Sequence, residues 1–224
     1  MSSSSRVPGA ARRVCLPIGV LVALATVAAC TGSTPTDDVT PTSVPTSATV
    51  TVPAGQPARS SPGTALTFGQ SAVLPANAFA ANGSPAMFTV TGITPAEGVP
   101  EDTAQGGTPY FLYVTVTSLA SRPAPAPRVV GLSGSADGRT PALTMSPTPG
   151  LTACPEATPP ERMRRGQSYT ACLVSVADQG QRLQQVIYWA DTTDDPALDY
   201  KSTPVAWSLP GPASTPAAPN TPAG

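Results

Sequence analysis

The chain has 224 residues, with 12 Lys+Arg against 13 Asp+Glu, no His, 5% aromatic residues and 29 Pro. Without imidazole there is no Ser-His-Asp triad, no Cys-His dyad and no His-ligated metal site. A formal charge of −1, with Lys201 the only lysine, is a poor match to a polyanion, so nucleic acid is not an expected partner.

Residues 1–13 carry Arg6, Arg12 and Arg13 and no acid, and Val14 to Ala29 is an uncharged, mostly aliphatic run. A basic segment, a short apolar run and small residues before a cut make a secretory leader. The run is shorter than the roughly 20 residues a membrane-crossing helix needs. Val27-Ala28-Ala29-Cys30 follows it directly. That tetrad resembles the bacterial lipobox, an aliphatic residue, two small residues and a Cys. The resemblance implies that Cys30 takes a diacylglyceryl thioether and becomes the new N-terminus. The expectation is a protein held in the cell membrane by its lipid, facing the extracytoplasmic side, with 1–29 as leader. Arg12-Arg13 also hints at twin-arginine export, but Cys15 stands where an aromatic is usual, so a plain basic segment is the first reading. The leader removes three of the 12 basic residues, which leaves nine against 13 acids and a mature charge of −4.

Residues 31–63 hold 8 Thr, 5 Ser and 6 Pro, and Val is their only large apolar residue. Such a segment has little to offset the chain entropy lost on folding. Cys30 and residues 31–63 are expected to form a lipidated, disordered Thr/Ser/Pro tether, with a reach of about 100 Å in polyproline II. Residues 210–224 are expected to be a disordered Pro/Ala tail.

Between them, 64–209 reads as strands. Tyr110–Thr117 is the clearest, with Leu112, Val114 and Val116 on one face, and Met87–Thr91 aligns Phe88 with Val90. Further strands are expected at 65–68, 72–74, 128–132, 142–145, 168–176, 184–189 and 205–209. Gly or Pro punctuates nearly every gap, and no segment keeps a helical period for 12 residues. Many short strands with frequent turns indicate an all-β antiparallel sandwich, and this length suffices for one two-layer core. The order of features resembles the Ig-like extracellular domains of unknown function in lipoproteins of Gram-positive bacteria and actinobacteria, related in fold to a secreted mycobacterial immunogenic protein. Thr67–Val73, Phe88–Ile93, Phe111–Thr117, Leu132–Gly138, Met163–Gly166 and Leu183–Tyr188 carry the likeness. Ser118 replaces the Asn that usually follows the third of these. The resemblance implies an Ig-like sandwich displayed outside the cytoplasm. It implies no catalytic residues.

Cys154 and Cys172, 18 positions apart with Pro155, Pro159 and Pro160 between them, read as a structural disulfide outside the cytoplasm. The spacing lacks the Cys-x-x-Cys geometry of a redox switch. Asp191, Asp194, Asp195 and Asp199 group four carboxylates in nine residues, but without the central Gly and terminal Glu of a calcium loop. A solvated turn is the default there. Arg162, Arg164 and Arg165 could hold an anion or simply protect a sheet edge. Tyr169, Tyr200, Trp207 and Arg164 are candidate recognition anchors. Asn82-Gly-Ser84 fits a glycosylation pattern, which Pro85 and a bacterial leader argue against. The expectation is therefore a non-catalytic binding module with no cofactor and no metal, tethered to the membrane and facing a protein or cell-wall partner. The alternative is an envelope accessory protein binding a small ligand or metal ion.

Overall fold

The structure, a computed structural model, describes residues 43–78, 84–190 and 196–210. In chain order the strands are β1 (Ala65–Thr67), β2 (Ser71–Pro75), β3 (Pro85–Pro95), β4 (Thr108–Ser118), β5 (Ala124–Pro125), β6 (Leu132–Ser135), β7 (Leu143–Met145), β8 (Arg162–Met163), β9 (Ser168–Ala177), β10 (Gln185–Tyr188) and β11 (Val205–Ser208). A single-turn helix α1 (Glu101–Ala104) lies between β3 and β4. One sheet runs β1-β11-β10-β6, the other β2-β3-β4-β9-β7, and β5 pairs with β8. All pairings are antiparallel except β1 with β11. The fold observed is the all-β sandwich expected from strand spacing, of the Ig-like kind that the family resemblance implies.

Alternation places Phe88 and Val90 of β3 and Leu112, Val114 and Val116 of β4 in the space between the sheets, as their spacing predicts. Val186 and Tyr188 of β10 and Val205 and Trp207 of β11 meet them from the other side. Trp207 is fully buried and its Nε1–H donates to the Gln70 carbonyl at 2.9 Å. Tyr200 packs edge-on against Tyr188, ring centroids 5.3 Å apart, and its hydroxyl donates to the Ser60 carbonyl at 2.9 Å. The core thus takes large rings whose polar ends reach backbone acceptors.

The expected strand 128–132 is displaced. Gly131 turns the chain at φ 93°, and the strand occupies Leu132–Ser135 instead. Its Leu-Ser-Gly-Ser sequence has the composition of a turn. It pairs because Gly134 lets the chain pass close to β9: a Cβ there would lie 2.6 Å from Leu183 Cδ1 and 2.8 Å from Ser175 Oγ. The Gly134 N–H donates to that same Ser175 hydroxyl at 3.1 Å.

The outer face of the five-stranded sheet is apolar too, so β4 is buried on both sides from Tyr110 to Ser118. Part of the cover comes from residues 43–63. They form no strand or helix, yet they lie on the sandwich from Ser43 onward. Val44, Ala48, Val50 and Val52 are half-buried, while the odd positions 43, 45, 47, 49 and 51 are exposed; broken once by the exposed Thr46, this is the period of an extended chain resting one face on a surface. Val50 and Val52 pack on Val73, Met87 and Leu119. The Ala48 N–H donates to Thr115 Oγ1 at 2.9 Å. Val44 touches the backbone at Gly92, where any Cβ would collide with its methyl group. Arg165 donates to the Pro53 carbonyl at 2.7 Å and also to Gly55, and Ser60 N–H donates to the Val73 carbonyl at 2.8 Å. Composition alone reads this stretch as tether; the alternation inside it makes a strap.

Candidate functional site

Cys154 and Cys172 are joined in a disulfide, with Cα atoms 5.3 Å apart and both residues buried. Cys172 sits on the outer face of β9 beside Phe111, Tyr113, Val174 and Val176. The bridge therefore fastens the proline-rich loop onto the sheet, and the Tyr113 hydroxyl adds a bond to the Ala153 carbonyl at 3.2 Å. Cys30 lies outside the described residues, as do Asp191, Asp194, Asp195, Asn82 and Gly83.

The fourth acid of the Asp group, Asp199, closes a local turn. Its carboxylate accepts the Ser202 N–H at 2.9 Å, a bond that with others holds its pKa below the ordinary carboxylate value. Among the described residues no three His, Cys, Asp or Glu side chains gather where they could hold a metal ion. The arginines are not assembled into an anion site. Arg165 clamps the strap, Arg162 donates to the Pro123 carbonyl at 2.8 Å, and Arg164 is exposed. Two of the expected recognition anchors are corrected by the packing. Tyr200 and Trp207 are fully buried between the sheets, because a small domain with few aromatics spends its largest rings on the core. Tyr169 is half-buried, bonded to the Pro127 carbonyl, and its phenol is pushed up to about 12 by burial.

The hydroxyl-rich segments form a buried network. Ser133 Oγ meets Thr144 Oγ1 at 2.9 Å, and Thr144 Oγ1 meets Ser175 Oγ at 2.7 Å. Ser133 also donates to the Ala142 carbonyl at 2.7 Å. These bonds tie β6 to β7 and β9 across the two sheets, with each oxygen satisfied by a neighbour or a carbonyl.

Concave surface occurs in two notable places. A depression of about 530 Å³ lies beside the disulfide loop and includes Tyr113, Tyr169 and the acidic Glu156. A larger cleft of about 710 Å³ opens where β3 outruns its neighbour. β2 pairs with β3 only as far as Ser71 with Thr89, so residues 91–95 of β3 have no partner strand on that side. Gly69 turns away after donating to the Val90 carbonyl. The strap enters this gap at Ser43, Val44 and Pro45 and forms one wall. Phe68, Ile93, Tyr110, Leu183 and Leu209 supply apolar lining, and Leu209 is 70% exposed. Among the described residues Arg182 is the only charged one lining the cleft, beside Gln184 and Gln185. This site was not foreseen from sequence, since unequal strand lengths and a docked strap create it. The readable signal was the Val/Ala alternation through 44–52.

No protein-family model matches the chain, and no curated protein matches it. A solved structure of a secreted protein from Mycobacterium tuberculosis, MPT63, is similar at 10% identity with a TM-score of 0.46, covering 64% of this chain and 95% of that one.

Proposed function

We propose that this chain is a lipid-anchored cell-surface protein whose Ig-like sandwich is a non-catalytic binding module. The observation that carries the reading is rigidity with a surface left over. The hydroxyl network ties the two sheets together, the disulfide and the strap brace the outer face of one of them, and the cleft at the edge of β3 stays open to solvent. A preformed concave site on a rigid scaffold suits recognition. Several groups that a hydrolytic mechanism could draw on are engaged among the described residues: Ser133, Thr144 and Ser175 bond to one another, and Asp137 and Asp199 accept bonds within their own turns. The membrane half of the proposal rests on Val27-Ala28-Ala29-Cys30 behind the apolar run, because two acyl chains anchor stably where one does not. The partner is a protein or cell-wall component of the envelope.

The test is fractionation of cells expressing the wild type and Cys30→Ala, followed by crosslinking and affinity capture from the intact envelope. Membrane association that the substitution abolishes, together with a captured component that survives stringent washing, is the expected result. Identical partitioning of the two proteins removes the anchor from the reading. Reproducible turnover of ester, phosphate, glycoside or peptide substrates by the purified protein overturns the binding-module half.

A further inference from the structure

We infer that the cleft at the free edge of β3 binds a single-chain anionic amphiphile, with its acyl chain against the apolar walls and its acidic head on Arg182. The inference rests on the binding-module reading and names its ligand class. The volume, about 710 Å³, falls within the range of about 300–1,000 Å³ typical of small-molecule sites. The walls come from four separate places in the fold: Phe68 after β1, Ile93 on β3, Leu183 before β10 and Leu209 after β11. These apolar side chains converge on one opening, and Leu209 is one of just two large hydrophobic residues strongly exposed among those described. A strip of apolar surface left uncovered at the mouth of a cleft marks a place where something else is buried.

Charge selects the head. Among the described residues no carboxylate lines the cleft, in a mature chain whose formal charge is negative. Arg182 is exposed at its rim and, among the described residues, has no ion pair or side-chain hydrogen bond. A guanidinium offers a planar fork matched to carboxylate or phosphate, and its bond to either is charge-assisted. Gln184 and Gln185 add neutral amides beside it. The depression near the disulfide lacks this combination, since its charged residue is Glu156. The strap gives the cleft one of its walls. Val44 lies over Gly92 with room for no larger backbone substituent, so the cleft is shaped jointly by the domain and by the segment leading back toward Cys30.

A free fatty acid and a lysophospholipid share this chemistry, and photolabelling distinguishes them. Envelopes from cells producing the full chain are exposed to three diazirine-bearing C16 probes: a fatty acid, the matching alcohol and a lysophosphatidylglycerol. Crosslinked residues are then mapped by peptide mass spectrometry. Label from at least one anionic probe on the peptides carrying Phe68, Ile93, Leu183 or Leu209 is expected, at roughly ten times the level given by the alcohol. Label from the fatty acid alone identifies a free acid, and label from the lysolipid alone a membrane-derived source. Arg182→Gln, an exposed substitution that leaves the core untouched, is expected to lower anionic labelling about tenfold and leave the alcohol's level unchanged. Leu209→Ser is expected to lower labelling by every probe. Label scattered over the surface, or cleft label insensitive to both variants, overturns the inference. A protein or wall partner captured from the envelope while the cleft stays unlabelled would defeat this inference and leave the proposed function standing.

Discussion

Asp137 shows how much one exposed carboxylate does in this fold. It accepts the N–H groups of Arg139 and Thr140 at 2.8 and 2.7 Å, the Thr140 hydroxyl at 2.8 Å and the Ser135 hydroxyl at 3.0 Å. The Thr140 backbone bond first, then that of Arg139, hold its pKa well below the ordinary carboxylate value. A carboxyl with a lowered folded pKa adds stability that is full above the unfolded value near 3.8 and is lost as pH falls through the folded value. Asp137→Asn is therefore expected to lower the melting temperature by several degrees at pH 7, with the gap to wild type closing steadily below about pH 4. A gap that stays constant from pH 7 to pH 2 would show that charge is not what the turn uses. Gly134 makes the complementary case, in which the absent side chain matters. Gly134→Ala places a methyl against Leu183 and Ser175, and overpacking of this kind costs about 1–3 kcal/mol. Calorimetry is expected to show that loss, and Leu183→Ala in the same chain to recover part of it, giving a non-additive double-mutant cycle.

The strands were legible in the sequence where alternation is strong and both neighbours are regular. Phe88 with Val90 and Leu112 with Val114 and Val116 point inward as their spacing requires. What was not legible has physical causes. β6 is made of Ser and Gly, and it exists because the close approach of β9 admits no side chain at Gly134. The two-residue strands β5 and β8 are too short for a period. The strap was hidden by its composition: Thr, Ser and Pro at the exposed odd positions mask Val44, Ala48, Val50 and Val52 at the covered even ones. The candidate cleft needed the strap, the lengths of β2 and β3 and the end of β11 together, which no local window contains. The strap also makes a prediction of its own. Arg165 reaches it through Pro53 and Gly55 while its own backbone is held by Ala120. Arg165→Ala is expected to raise the rate of elastase cleavage after Ala48 and Val50 about tenfold, with a global melting temperature within about 3 °C of wild type. Unchanged cleavage would mean that the valines alone secure the strap.

For the molecule as a whole, the docked strap bears on how far the proposed lipid anchor would let the sandwich stand from a membrane. A lipid on Cys30 and a free chain to residue 63 would allow a reach of about 100 Å. The chain already rests on the domain at Val44, which, like Ala96, packs against the cluster of Phe111 and Tyr113 on the outer face of the five-stranded sheet. Under the proposed lipidation of Cys30, only the 13 peptide steps from Cys30 to Ser43 would separate the lipid from that face, and at about 3.5 Å each they span at most ~45 Å. The cleft lies where those steps end, since Ser43, Val44 and Pro45 form its wall. Under the proposed lipidation of Cys30, the mouth of the cleft would be held within ~45 Å of the lipid surface. Glu97, exposed next to Ala96, reports the height of this end. A donor dye on Glu97→Cys, in the lipidated protein with the Cys154–Cys172 bridge intact, is expected to transfer energy strongly to acceptors in the bilayer surface. Removing the Val44 contact with Gly92→Leu and the clamp with Arg165→Ala lengthens the free chain toward residue 60. Transfer is then expected to fall, provided circular dichroism still shows the β-sandwich. A Glu97 donor that transfers weakly in the wild type, or equally in both proteins, would mean that the strap does not set the height of the domain.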